Sequence, residues 1–118
     1  MNIVFMASPD FAIPSLEKIH ALSDFNISAV VSNVDKRRGR GTKKMPTPVK
    51  KRARELGLPV IEVDDLNAPS FEQQLKALKA DLFVVVAFRV LPANILEIPR
   101  IGSVNLHASL LPRYRGAA

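Results

Sequence analysis

At 118 residues, with 47% hydrophobic and 24% charged side chains, the chain has the size of one domain and the composition of a folded one. The absence of cysteine excludes a disulfide framework and a thiolate metal site. No apolar stretch approaches the ~18–20 residues of a membrane span. Met1 leads straight into a strand-like run with no basic segment or small-residue cleavage site before it, so a soluble cytoplasmic protein is the expectation.

Residues 2–6 are short, apolar and β-branched, and Ser8-Pro9-Asp10 follows them, which predicts a buried first strand ending in a turn. Phe11, Ile13, Leu16, Ile19 and Leu22 recur at helical spacing, and Pro14 places the start of the regular helix, because proline suits a first turn and not an interior. Residues 26–32 form a second strand. A basic stretch then runs from Lys36 to Arg54 with ten lysines and arginines and no acid, while the rest of the chain carries seven basic and eleven acidic residues. Such a stretch is either a solvated loop or a surface for a polyanion such as nucleic acid.

Pro46 and Pro48 close that loop, a short helix covers 49–56 and stops at Gly57, and 58–61 is a third strand. Phe71, Leu75 and Leu78 mark a helix over 70–78. Residues 82–87 are apolar without in/out alternation, as in a central parallel strand covered on both faces. A helical turn at 92–96 and a fifth strand at 102–108 complete the chain. The order β-α-β-α-β-α-β-α-β predicts an α/β fold, a Rossmann-like parallel sheet with flanking helices and right-handed crossovers. Ligands of such sheets lie beyond the strands' carboxyl ends, which directs attention to residues 7–10, 87–92 and 105–112.

A dinucleotide is not expected, because Met6-Ala-Ser-Pro-Asp10 lacks the glycines that let a backbone approach a pyrophosphate. Gly39-Arg-Gly41 lies in the basic loop and reads as a hinge. His20 and His107, the two histidines, stand far apart in sequence, so no metal is expected. Asn105 and His107 are two apart in a strand and project from one face. An amide there can donate to a developing oxyanion and an imidazole can shuttle a proton, although a structural histidine satisfies the same pattern.

The residues around this pair carry a resemblance. Asn105-Leu-His-Ala-Ser-Leu-Leu-Pro-Arg-Tyr-Arg-Gly116 resembles the signature of the formyltransferases that use 10-formyltetrahydrofolate. Phe5-Met-Ala-Ser-Pro-Asp-Phe-Ala12 is similar to that family's opening segment, with Ala7 where the family usually has glycine. Residues 39–41 and Met45-Pro-Thr-Pro-Val-Lys50 resemble the basic loop of its methionyl-tRNA branch, and Val86-Ala-Phe-Arg-Val-Leu-Pro92 resembles its folate-binding segment.

The resemblance implies that residues 1–118 are the family's N-terminal catalytic domain, incomplete at its C-terminal side. It implies formylation of initiator methionyl-tRNA from the donor 10-formyltetrahydrofolate, with no metal and no membrane partner, at the start of translation. Asn105 and His107 would belong to a catalytic Asn–His–Asp set whose aspartate falls beyond Ala118, so this piece alone is expected to be inactive. The donor would lie against Ala87, Phe88, Arg89, Val90, Leu91 and Pro92 and beside Ser109, Leu110, Leu111 and Pro112. Arg89 would either meet the donor's glutamate carboxylate or be solvated, and the roles of Arg113 and Arg115 stay open. Arg37, Arg38, Arg40, Lys43 and Lys44 would contact tRNA phosphates. Full-length members are expected to be monomeric, while a fragment with an unpaired edge strand can self-associate. An amino-sugar or other small-amine formyltransferase is the alternative within the family, and a non-catalytic nucleic-acid-binding module the alternative outside it.

Overall fold

The computed structural model describes residues 1–34, 36–37, 44–45 and 47–106. In chain order they form β1 (Asn2–Ala7), a 3-10 turn (Asp10–Ala12), α1 (Ile13–Ala21), β2 (Asn26–Asn33), the short strands β3 (Lys36–Arg37) and β4 (Lys44–Met45), and α2 (Pro48–Glu55). Next come β5 (Val60–Val63), α3 (Pro69–Ala77), β6 (Leu82–Val86), α4 (Ala93–Leu96) and β7 (Gly102–Leu106). Five of the strands make a sheet in the order β5-β2-β1-β6-β7, with every pairing parallel. The chain builds outward from β1 to β5 on one side, then returns to place β6 on the other. Strand order therefore reverses between β1 and β6, and the crevice outside Ala7 and Val86 is the switch point at which such sheets bind ligands.

The apolar runs lack alternation because both faces of the sheet are covered. Ile3, Phe5 and Ala7 pack on one face with Leu16 of α1 and with Val49 and Ala53 of α2. Val4 and Met6 pack on the other with Phe71 and Leu75 of α3 and Ile95 of α4. In β2, pairing passes from Ile3↔Ile27 to Val4↔Ala29, a bulge that accommodates one extra residue. Because of it Ile27 and Val30, three apart, face the same cluster. Without the bulge their odd spacing would send one of them to the opposite face.

Helix starts follow the prolines more closely than the sequence pattern suggests. Pro48 and Pro69 open α2 and α3, one residue before the expected starts, since an N–H is dispensable at the first helical position. The third core strand begins at Val60 rather than residue 58, because the N–H groups of Gly57 and Leu58 still close α2 by donating to the carbonyls of Arg54 and Ala53. The basic segment, expected to be a loop, contains an antiparallel ladder with Lys36 opposite Met45 and Arg37 opposite Lys44. Among the described residues, no helix is long and apolar enough to cross a membrane.

Candidate active site at the carboxyl ends of the strands

The chain leaves β6 through Ala87, whose φ of 47° lies in the left-handed region. For a residue with a β-carbon that conformation costs about 1–2 kcal/mol, and the tight exit directs residues 88–91 across the end of the sheet. These residues face β7 over a cleft of ≈ 430 Å³ lined by Val85, Phe88, Arg89, Val90, Leu91, Leu96, Ser103, Val104 and Asn105. That volume lies in the range of small-molecule sites. Asn105 is exposed and stands opposite Val85 in the β6–β7 register, so its amide is available at the cleft. Val90 is 94% exposed and Val104 42%, an apolar surface left uncovered by the described residues. Phe88, Arg89, Val90 and Leu91 make no backbone-to-backbone hydrogen bond with other described residues, which leaves a peptide edge open to a ligand.

Arg89 turns away from β7. Its Nη1 donates to the Asp64 carbonyl at 2.7 Å and its Nη2 to the Val63 carbonyl at 3.2 Å, and the guanidinium carbon stands 5.6 Å from the Phe88 ring centre. Two of its five donors are thus used on the end of β5, across the sheet from the cleft. Leu91 is buried among α4 and β6 residues, and Pro92 is the N-cap of α4. Ala87 instead lines a second, more open cleft of ≈ 540 Å³ at the switch point, with Ser8, Pro9, Asp10, Phe11 and Pro48.

Hydroxyl groups join this second cleft to the base of the basic segment. The Ser32 and Thr47 hydroxyls are 2.6 Å apart, and those of Ser8 and Ser32 3.2 Å apart. Ser8 Oγ accepts from Asn33 Nδ2 at 2.8 Å, while Thr47 Oγ1 accepts from the Lys50 N–H at 3.1 Å as the N-cap of α2. Sequence reasoning had directed attention to residues 7–10 but missed Ser32, Asn33 and Thr47, although Thr47-Pro48 before a helix is a capping signature that could have found Thr47. It also missed Leu96, Ser103 and Val104, which enter the cleft only because α4 and β7 are brought together in three dimensions.

Three of the four cations of α2 have acidic partners, which divides the basic feature expected to run up to Arg54, while Lys51 stays exposed. Lys50 is buried and pairs with Glu62 at 3.0 Å, and Arg54 shares that carboxylate at 3.4 Å. Arg52 meets Glu17 at 2.7 Å and Glu55 at 3.1 Å, and these hydrogen bonds, Glu17's foremost, raise its pKa above the ordinary guanidinium value. The other cations of the stretch are Lys51 and those from Lys36 to Lys44. Arg37 and Lys44 pair through their backbones in the β3–β4 ladder. Arg38, Arg40 and Lys43 lie outside the described residues, as do His107, Ser109, Leu110, Leu111, Pro112, Arg113 and Arg115.

The geometry is a parallel sheet with a cleft of small-molecule size at its carboxyl end and an amide at the rim of that cleft. The sequence profile of the formyl transferase family matches residues 1–118. The chain belongs to the formyl transferase family. It is 52% identical over 119 residues to a methionyl-tRNA formyltransferase of Halothermothrix orenii, and 52% over 120 residues to one of Chlorobium limicola. In both cases all of this chain is covered and 38% of the relative. A methionyl-tRNA formyltransferase of Porphyromonas gingivalis is 45% identical over 118 residues, again over all of this chain and 36% of that protein. The formyl transferase chain thus spans little more than a third of the length of the curated relatives it matches. Its parallel sheet is the α/β architecture expected from the sequence. Among the described residues, no group of histidines and carboxylates is placed to hold a metal ion.

Proposed function

We propose that the gene product transfers a formyl group from 10-formyltetrahydrofolate to the amine of initiator methionyl-tRNA, and that this chain supplies the donor cleft, two catalytic side chains and a tRNA-binding arm. The observation that carries the reading is the placement of the Asn105 amide opposite residues 88–91 across one cleft. Names of the relatives support the choice of acceptor.

The residues present fit such a donor. Phe88, Val90, Leu91, Leu96 and Val104 give apolar walls for a flat heterocycle, and the peptide groups of residues 88–91, unpaired among the described residues, can read its polar edge. When bound, 10-formyltetrahydrofolate supplies an electrophilic formyl carbon on its N10 nitrogen. The acceptor amine forms its new bond to that carbon, and the bond from carbon to N10 breaks. Asn105 donates its amide N–H to the oxygen that gains negative charge during the attack, a stabilisation greater in the transition state than in the ground state. His107 takes the proton lost by the amine and helps deliver one to N10, so atoms and charge balance. Arg37, Arg38, Arg40, Lys43 and Lys44 neutralise acceptor phosphates, and Ser109, Leu110, Leu111 and Pro112 border the donor beside the catalytic pair.

The test offers the full-length gene product 10-formyltetrahydrofolate with methionyl-tRNA, and separately with small amino-sugar nucleotides. Formyl-methionyl-tRNA is the expected product. Formylation of the amino sugar alone would reassign the acceptor. Donor binding absent throughout, with RNA binding retained, would leave only a nucleic-acid-binding module.

A further inference from the structure

The donor-side loop leaves β6 through a left-handed alanine, has no backbone pairing with other described residues, and still has to present residues 88–91 in one conformation. Leu91 holds one end of it in the core. Towards the other end, among the described residues, the Arg89 side chain anchors it on the carbonyls of Val63 and Asp64. The Val63 carbonyl also accepts the Val34 N–H at 3.3 Å, so the anchor point is itself tied to the end of β2. Both bonds from Arg89 are charge-assisted, and a forked guanidinium fixes direction as well as distance.

We infer that Arg89 is a positioning residue: its guanidinium clamps the loop to the end of β5 and sets the shape of the donor cleft without touching the donor's glutamate. This rests on the donor reading above and assigns to Arg89 a role different from the carboxylate contact that its position in the segment suggests. A side chain that bridges 25 and 26 residues of sequence to two carbonyls organises the backbone of its neighbours, and a methionine in its place retains the apolar stem but no donor.

The experiment compares wild type, Arg89→Met and Arg89→Lys in the full-length gene product. It titrates each with tetrahydrofolate and with tetrahydropteroate, which lacks the glutamate. The clamp predicts that Arg89→Met weakens both ligands alike, by about tenfold for two charge-assisted bonds, with Arg89→Lys between the two. In turnover the loss falls mainly on the donor KM. A loss confined to tetrahydrofolate would overturn the proposal in favour of a direct carboxylate contact. Equal affinity in all three proteins would overturn it as well.

Backbone 15N order parameters of residues 88–91 without ligand separate this from the donor reading. Lower order parameters in Arg89→Met than in wild type support the clamp even if neither folate binds, whereas unchanged order parameters remove it. Wild type that binds neither ligand counts against the donor reading and leaves the order parameters to decide the clamp.

Discussion

Asn105 combines exposure, a rigid strand backbone and a cleft in front of it, the conditions under which one amide can act on a developing charge without reorganising. Asn105→Ala in the full-length gene product is expected to lower kcat by ~10²–10³ with the donor Kd little changed, as for loss of one preorganised donor. A turnover number near that of wild type would remove Asn105 from the mechanism. At the opposite end of the sheet, Asp81 accepts the Asn2 N–H at 2.8 Å and Arg100 Nε at 2.9 Å. The backbone bond from Asn2 foremost, and then Arg100, hold its pKa below the ordinary 3.8. A carboxylate depressed in the folded state contributes stability above its unfolded pKa and loses it as pH falls through the folded value. Asp81→Asn should therefore be less stable than wild type at about pH 7, and the difference should shrink below about pH 4. Parallel urea midpoints across that range would contradict this. Arg89 marks the limit of reading single residues: its position in the loop suggests a ligand contact, while its partners, 25 and 26 residues away, are set by the fold.

Elements were legible where local chemistry dominates. Proline at a first turn, glycine after a last one and unbroken apolar runs locate α1, α2 and β6 within a residue or so. The β3–β4 ladder was not legible, because strands of two residues among lysines and arginines carry no apolar period. Nor were the buried hydroxyls of Ser32 and Thr47, whose pairing depends on β2 meeting α2. Thr47→Ala removes a helix cap and a hydroxyl partner together, so it should cost about 1–2 kcal/mol of stability by urea unfolding, with Thr47→Ser close to wild type. An unshifted midpoint would deny the cap its role. The arm and the helix behind it should also differ in RNA binding. Reversing Arg38, Arg40 and Lys43 to glutamate should weaken tRNA binding and flatten its salt dependence, by up to ~0.9 in log–log slope for each phosphate left without its cation. Arg54→Gln should leave that slope unchanged, because Arg54 already faces Glu62. Equal effects from arm and helix would return the whole basic stretch to the status of a diffuse charge.

At the scale of the molecule, alternation of strands and helices was enough to predict the parallel sheet, because right-handed crossovers leave few other arrangements. Strand order was not in the pattern. Only the pairing of β6 with β1 rather than with β5 creates the reversal, and with it two adjacent clefts, one facing Asn105 and one facing Ser8 to Phe11. Everything proposed for the reaction depends on the donor occupying the first. A crystal structure of the full-length gene product with a non-transferable donor analogue tests that most directly. The predicted result is the heterocycle against Phe88 to Leu91, with the transferable carbon's position beside Asn105. A heterocycle seated instead among Ser8, Pro9, Asp10, Phe11 and Pro48 would contradict it.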